Sequence, residues 1–317
     1  MKKILFALCA VATLASCSNE EIVNFDKEAI AFDGAFVDNG TRANDDFTIE
    51  THELFDFNVW ATTKRPSSTE IVPILNEVVV CRPDLNSDWV YPTANTQYWI
   101  PDNTYQFVAA KNYKNVELAN GVPSKFTYDV SSQRDFLYAT DTRVGLASNN
   151  AAVAFTFDHL LSKAYFTVKT NDMTGANTNY TYRITNLCIN NVVKEATYTV
   201  GATTPWVGTE NSTYNVEFGT VNWANKLAAK GVYTSDYARL LVPASYTALN
   251  ITCTIETLYG DSVIDVKDYT KSIAQSFVSG YVYKFVLALG DPGEPIKFTV
   301  TPVKDWISAG NTTIPAL

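Results

Sequence analysis

The chain has 317 residues and a formal net charge of −9, with 13% aromatic residues and two methionines. An acidic chain with no run of Lys or Arg excludes a phosphate-binding face, and with it nucleic acid as a partner. The abundance of Tyr, Phe, Thr, Val and Asn suits pleated, half-buried surfaces, and the length suffices for two cores of ~100 to 150 residues each.

At the start, Lys2 and Lys3 precede an apolar run from Ile4 to Leu14, the layout of a secretory signal peptide over residues 1–16. That run is shorter than the ~20 apolar residues a bilayer span requires. It closes on Leu14-Ala15-Ser16-Cys17, which reads as a lipobox and predicts that Cys17 carries lipid, so that the mature chain is anchored to membrane rather than spanning it. A strand-like stretch, Ala29-Ile30-Ala31-Phe32-Asp33, follows, and then the polar run Asp38 to Asp46, which contains Arg42 and Ala43.

Alternating patterns predict strands at Phe55–Trp60, Tyr105–Ala110, Ala164–Val168, Tyr182–Ile189, Leu240–Val242, Asn250–Thr257, Tyr281–Leu289 and Ile296–Val300. Turn signals fall at Pro101-Asp102-Asn103, Asp172–Gly175, Tyr259-Gly260-Asp261 and Asp291-Pro292-Gly293, and Thr62–Thr69 reads as a solvated hairpin loop. Val221–Lys230 is the one segment with a helical face, carried by Trp223, Leu227 and Ala228. The polar Ala147-Ser148-Asn149-Asn150 suggests a boundary at 150, dividing an all-β chain into 43–150 and 151–317.

Chemistry is sparse. With only His52 and His159, a site built on several imidazoles is out of reach. Asp158, His159 and Ser162 resemble a triad fragment, but they follow an alternating strand in which neighbours face opposite ways, so Asp158 cannot orient His159. No phosphate loop, nucleophile elbow or metal spacing is present, and no catalytic residue, metal or cofactor is expected. Cys81, Cys188 and Cys253 are read as buried thiols, with a Cys188–Cys253 disulfide left open. Trp89 and Trp99 sit in dense aromatic clusters beside prolines; they suit strand ends packed on a core, or else stack on sugars in a monomeric surface lipoprotein that binds glycans.

Several local patterns together resemble the fimbrillins, subunits of type V pili: the lipobox at Cys17, Ala29–Asp33 followed by Thr41-Arg42-Ala43, Trp89-Val90-Tyr91 with Tyr98-Trp99-Ile100-Pro101, Phe136-Leu137-Tyr138-Ala139, Phe155–Lys163, Gly280-Tyr281-Val282-Tyr283 and Val303-Lys304-Asp305-Trp306. The resemblance implies two transthyretin-like β-sandwich domains in tandem, a lipid anchor in the outer membrane through Cys17, and cell-surface assembly with other pilus subunits by strand exchange. It further implies cleavage between Arg42 and Ala43, which removes residues 17–42 with the first strand. Ile22, Phe25, Ile30, Phe32 and Phe36 would leave with it and open a groove. The C-terminal tail is the natural donor, with Ile307, Ile314 and Leu317 as its anchors.

Overall fold

The computed structural model describes residues 28–37, 54–84, 86–170, 180–210, 212–218, 232–234, 238–289 and 297–303. Cys17, Arg42, Ala43, Ile307, Ile314, Leu317, the Val221–Lys230 segment and the turns at 172–175 and 291–293 lie outside these residues.

In chain order the first strands are β1 (Phe32–Val37), β2 (Asp56–Lys64), β3 (Val72–Cys81), β4 (Thr104–Lys111), β5 (Asn115–Ala119), β6 (Val122–Asp129), β7 (Leu137–Val144) and β8 (Val153–His159). They are followed by β9 (Ser162–Thr170), β10 (Tyr180–Val193), β11 (Glu195–Thr199), β12 (Trp206–Gly208), β13 (Thr213–Glu217) and β14 (Val232–Thr234). The last are β15 (Arg239–Leu241), β16 (Ser245–Tyr259), β17 (Ser262–Ser276), β18 (Val282–Leu289) and β19 (Lys297–Val303). Each strand expected from alternation is present. The Thr62–Thr69 segment differs: Thr62 and Thr63 are buried inside β2, and the turn begins only at Arg65, whose carbonyl accepts from Ser68 N at 3.1 Å.

Four sheets result. The first has the order β1-β8-β7-β4-β2-β3 and the second β12-β11-β6-β5. The third runs β13-β10-β16-β17 and the fourth β14-β9-β18-β19, with β15 also on β9. The third and fourth enclose one core, built around Phe166, Ile184, Ile251 and Phe285. The first sheet is buried on both faces, because alternate side chains of one strand enter different cores: Phe57, Val59 and Ala61 lie in one, and Trp60 between them lies in another.

On the Trp60 face the second sheet supplies the cover, with Phe126 and Tyr128 of β6 and Ala196 of β11. On the Phe57 face the cover comes from the connection between β3 and β4, which lays down Trp89, Tyr91 and Trp99. The boundary expected at 150 falls within the β7–β8 connection, and β8, which lies beyond it, pairs with β7 and β1 in the first sheet. The chain passes to the second pair of sheets at Leu160 and Leu161.

The longest exposed edge is β17. Its pairing with β16 slips between Thr257 and Leu258, where Ile264 is the extra residue, and Lys267 and Lys271 stand opposite Ile255 and Ile251 on the core-facing side. A bulge and inward-pointing lysines are the means by which natural sheets discourage unplanned pairing.

Of the three cysteines expected to be buried, Cys188 and Cys253 are, whereas Cys81 at the end of β3 is exposed. Cys188 pairs with Thr252, so Cys253, the next residue of β16, faces the other way; both thiols are free and no bond joins them. Burial pushes the Cys188 thiol up to about 11 and that of Cys253 up to about 12. Since the thiolate is the reactive form, iodoacetamide at pH 8 is expected to alkylate Cys81 in the folded protein and to leave Cys188 and Cys253 unmodified until denaturant is added. Peptide mass mapping reads this directly.

Candidate functional site: the seat of the first strand

The segment from Glu28 to β1 is the one part of the first sheet that comes from far away in sequence. β1 lies parallel to β8, with Phe32 beside Val153 and Asp33 beside Ala154. Just before β1 the backbone is held from both sides. On one side Ile30 N donates to Gln97 O at 2.8 Å and Trp99 N donates to Glu28 O at 3.0 Å, around an antiparallel bridge between Ala29 and Tyr98. On the other side Val153 N donates to Ala31 O at 2.8 Å. The segment thus fills a slot between the 97–99 stretch and β8.

Alternation decides which side chains go in. Ile30 and Phe32 are 1% and 4% exposed, while Ala29, Ala31 and Asp33 are exposed. Phe32 packs edge-on to Tyr91 at 5.4 Å and to Phe107 at 6.3 Å, and is stacked with Phe155 at 6.0 Å. The Tyr91 hydroxyl donates to Ile30 O at 2.7 Å, so the same ring that receives Phe32 also fixes the backbone.

The walls of the slot are the two aromatic clusters. Trp99 is 7% exposed and packs edge-on to Tyr105 at 4.8 Å, and the Tyr105 hydroxyl accepts from Ile100 N at 2.7 Å. Trp89 is 8% exposed, with its ring 4.9 Å from that of Phe57 and the Arg82 guanidinium 4.6 Å from its centroid. Trp89 and Trp99 are therefore not sugar-stacking platforms: a platform needs an open ring face, and both indoles close the face of the first sheet that has no second sheet over it.

At its N-terminal end the segment is fastened by a carboxylate. Glu28 Oε2 accepts from both the backbone N and the side-chain Nδ2 of Asn150, each at 2.8 Å. Those bonds, the side-chain one first, hold the Glu28 carboxyl below its ordinary range. Asn150 is itself held by its own loop, its Oδ1 accepting from Leu146 N at 2.7 Å and its Nδ2 also donating to Leu146 O at 3.1 Å. Beside it, Arg143 Nη1 donates to Ala151 O at 3.0 Å and to Ala152 O at 2.9 Å. Gly145 allows the loop to lie against the 97–103 stretch, because a Cβ there would meet Ile100 O at 2.3 Å.

Of the apolar residues expected to leave with the first strand, Ile30 and Phe32 are seated here; Ile22 and Phe25 lie outside the described residues. Sequence reading missed Tyr91 as a wall and Glu28 with Asn150 as a fastening, because a hydrogen bond between residues so far apart leaves no periodic trace. His159, by contrast, is where alternation puts it. It is buried with its Nδ1 on the Asp135 carboxylate, Asp158 is on the exposed face, and the Ser162 hydroxyl donates to Val278 O at 2.7 Å. The three residues of the triad fragment therefore do not converge.

A fimbrillin-like family model matches residues 41–306. The chain belongs to the fimbrillin-like family. Its fold is shared by a fimbrial protein of Bacteroides vulgatus, at 13% identity and TM-score 0.59, covering 88% of this chain and 100% of that one. It is also shared by a Bacteroides uniformis protein assigned to cell adhesion, at 20% identity and TM-score 0.52 over 88% of this chain and 98% of that one. A Bacteroides ovatus protein with the same assignment has 17% identity and TM-score 0.52, over 89% and 98%. No curated protein matches the sequence. Within this fimbrillin-like, all-β architecture, the slot around Ile30 and Phe32 is the feature with the clearest chemical consequence.

Proposed function

We propose that this fimbrillin-like chain is a subunit of a surface pilus, exported as a lipoprotein on Cys17 and activated by removal of its first strand. The observation that carries the reading is the double-sided slot. A segment that lies between two backbone partners and contributes two core side chains leaves, on departure, unpaired Trp99 N, Val153 N and Gln97 O together with an apolar hole. Unpaired backbone groups beside a vacated hydrophobic slot are a template for another strand. Burying each large apolar anchor contributes ~1.5 to 3 kcal/mol, so an incoming strand with two such anchors binds durably.

Cleavage after Arg42 would cut the connection between β1 and β2 and make the resident strand replaceable; a strand from the next subunit then completes the sheet. The tail with Ile307, Ile314 and Leu317 is the donor this reading assigns. Localisation follows from the route: outer membrane first, through lipid on Cys17, then the fibre at the cell surface.

The test is the mass of the N-terminus in protein recovered from the cell surface. A chain starting at Ala43, concentrated in oligomers that survive mild detergent, supports replacement of the strand. Lipidated Cys17 retained on all surface material would overturn it.

A further inference from the structure

Nothing in strand exchange as such says which strands the slot accepts. Apolar pockets alone discriminate weakly, since any extended segment with two large side chains two residues apart would serve. The fastening at Glu28 adds a polar requirement. Glu28 stands two residues before Ile30 and four before Phe32, and both Asn150 bonds converge on one of its oxygens. The donors that make those bonds are held by contacts independent of the strand, through Leu146 N and O, while the Arg143 bonds steady the chain just beyond. The loop is accordingly an arranged carboxylate acceptor before any strand arrives.

We infer that Asn150 is a specificity-determining residue of the slot, favouring an occupant with a carboxylate two residues ahead of its first apolar anchor. Resting on the exchange reading above, this names the partner by chemistry: an extended segment with a carboxylate two residues ahead of an aliphatic anchor, the spacing of Asp305 and Ile307 in the tail, running parallel to β8. A segment with a lysine or arginine at the carboxylate position would set a cation against two N–H donors, and one with an apolar residue there would leave those donors facing nothing. Discrimination arises from these mismatches as much as from the favourable pair.

The loop allows an isosteric test. Asn150→Asp keeps the Oδ1 that accepts from Leu146 N but turns the donating amide into a second carboxylate facing Glu28. Glu28→Gln in that background restores the side-chain pair with the polarity reversed, its amide donating to the new carboxylate, while the backbone N of residue 150 loses its acceptor. All variants are made in the uncleaved full chain and followed by native-state hydrogen exchange at the amides of Trp99 and Val153, which the resident segment covers. Asn150→Asp is expected to speed exchange there about tenfold, a typical effect for loss of a hydrogen bond to a charged group. The double variant is expected to exchange more slowly there than Asn150→Asp alone, a partial recovery of the side-chain pair, since residues in contact do not act additively. Additive effects, or no effect at Trp99 and Val153, overturn the inference.

A second measurement separates this from the exchange reading. The folded chain is cut after Arg42 and incubated with a peptide of residues 27–37, either native or carrying Glu28→Ala. Faster replacement of the resident strand by the native peptide, about fivefold to tenfold, supports selectivity; equal replacement overturns it. If neither peptide enters while the amide-exchange cycle still shows coupling, the exchange reading fails and the Glu28–Asn150 pairing stands as a fixed latch, so selectivity toward an incoming strand falls with it.

Discussion

Phe32→Ala is expected to release the first strand while leaving the rest of the protein folded. Phe32 is almost wholly buried against the rings of Tyr91, Phe107 and Phe155. Truncating such a residue costs about 3–5 kcal/mol, of which part is the cavity left behind. Where that cost appears depends on how the residue is attached. β1 joins the sheet through β8 alone, and the residues ahead of it through Gln97, Trp99 and Val153, whereas Phe107 belongs to β4, paired along its length with β2 and β7, and Phe155 to β8, which is also tied to β7 through Asp158 and His159. The free energy of local opening is therefore lowered more than that of global unfolding.

The readout is amide exchange along the chain. The amides of Trp99 and Val153 are expected to exchange at least about a hundredfold faster in Phe32→Ala, following from a loss of that size at about 1.4 kcal/mol per factor of ten, while those of β16 and β18 change little. A uniform rise at every site, with a matching fall in Tm, would mean that the strand is an integral part of the core and cannot leave on its own. That outcome would remove the physical basis for a replaceable strand.

How much of this was legible in the sequence follows from what periodicity encodes. Alternation in Phe55–Trp60 and Tyr105–Ala110 places apolar side chains at every second position, and those strands stand where the pattern puts them. The same logic separates Asp158 from His159. Alternation carries no record of which strand lies alongside, so neither the parallel placement of β1 against β8 nor the pairing of β6 with β11 could be read. The polar run Ala147 to Asn150 has a linker's composition but is the connection between β7 and β8, and its asparagine is occupied in fastening Glu28. Trp89 and Trp99 show the limit from the other side. Exposed and buried tryptophans beside prolines look alike until the uncovered face of a sheet is seen to need them.

The second large effect is expected at the joint between the two halves. The ladder between β6 and β11 runs from Asp129 opposite Glu195 to Lys125 opposite Thr199, so one sheet is composed of strands from both sides of Leu160. Around it, Gln133 holds the backbone of Leu240 twice, accepting from Leu240 N at 2.9 Å and donating to Leu240 O at 3.1 Å. Val130 N donates to Lys194 O at 2.8 Å, Lys114 pairs with Glu195, and Trp206 Nε1 donates to Leu160 O at 3.1 Å. Phe126 is fully buried at the centre, within 6.0 Å of Trp60, Tyr113, Phe136 and Tyr138.

Phe126→Ala is expected to cost about 3–5 kcal/mol and, because the sheet is shared, to lower the unfolding midpoint of both halves together. Amide exchange against denaturant can follow Val108 in the first sheet and Ile255 in the third. A common midpoint that shifts as one in the variant supports a single cooperative unit. Separate midpoints, with Ile255 unmoved, would make the halves independent domains joined by a weak contact. In a pilus subunit the distinction has a mechanical meaning. A pull on the first half reaches the second along the backbone at Leu160 and Leu161, where β8 continues toward β9, and the β6–β11 ladder must also yield before the halves can part.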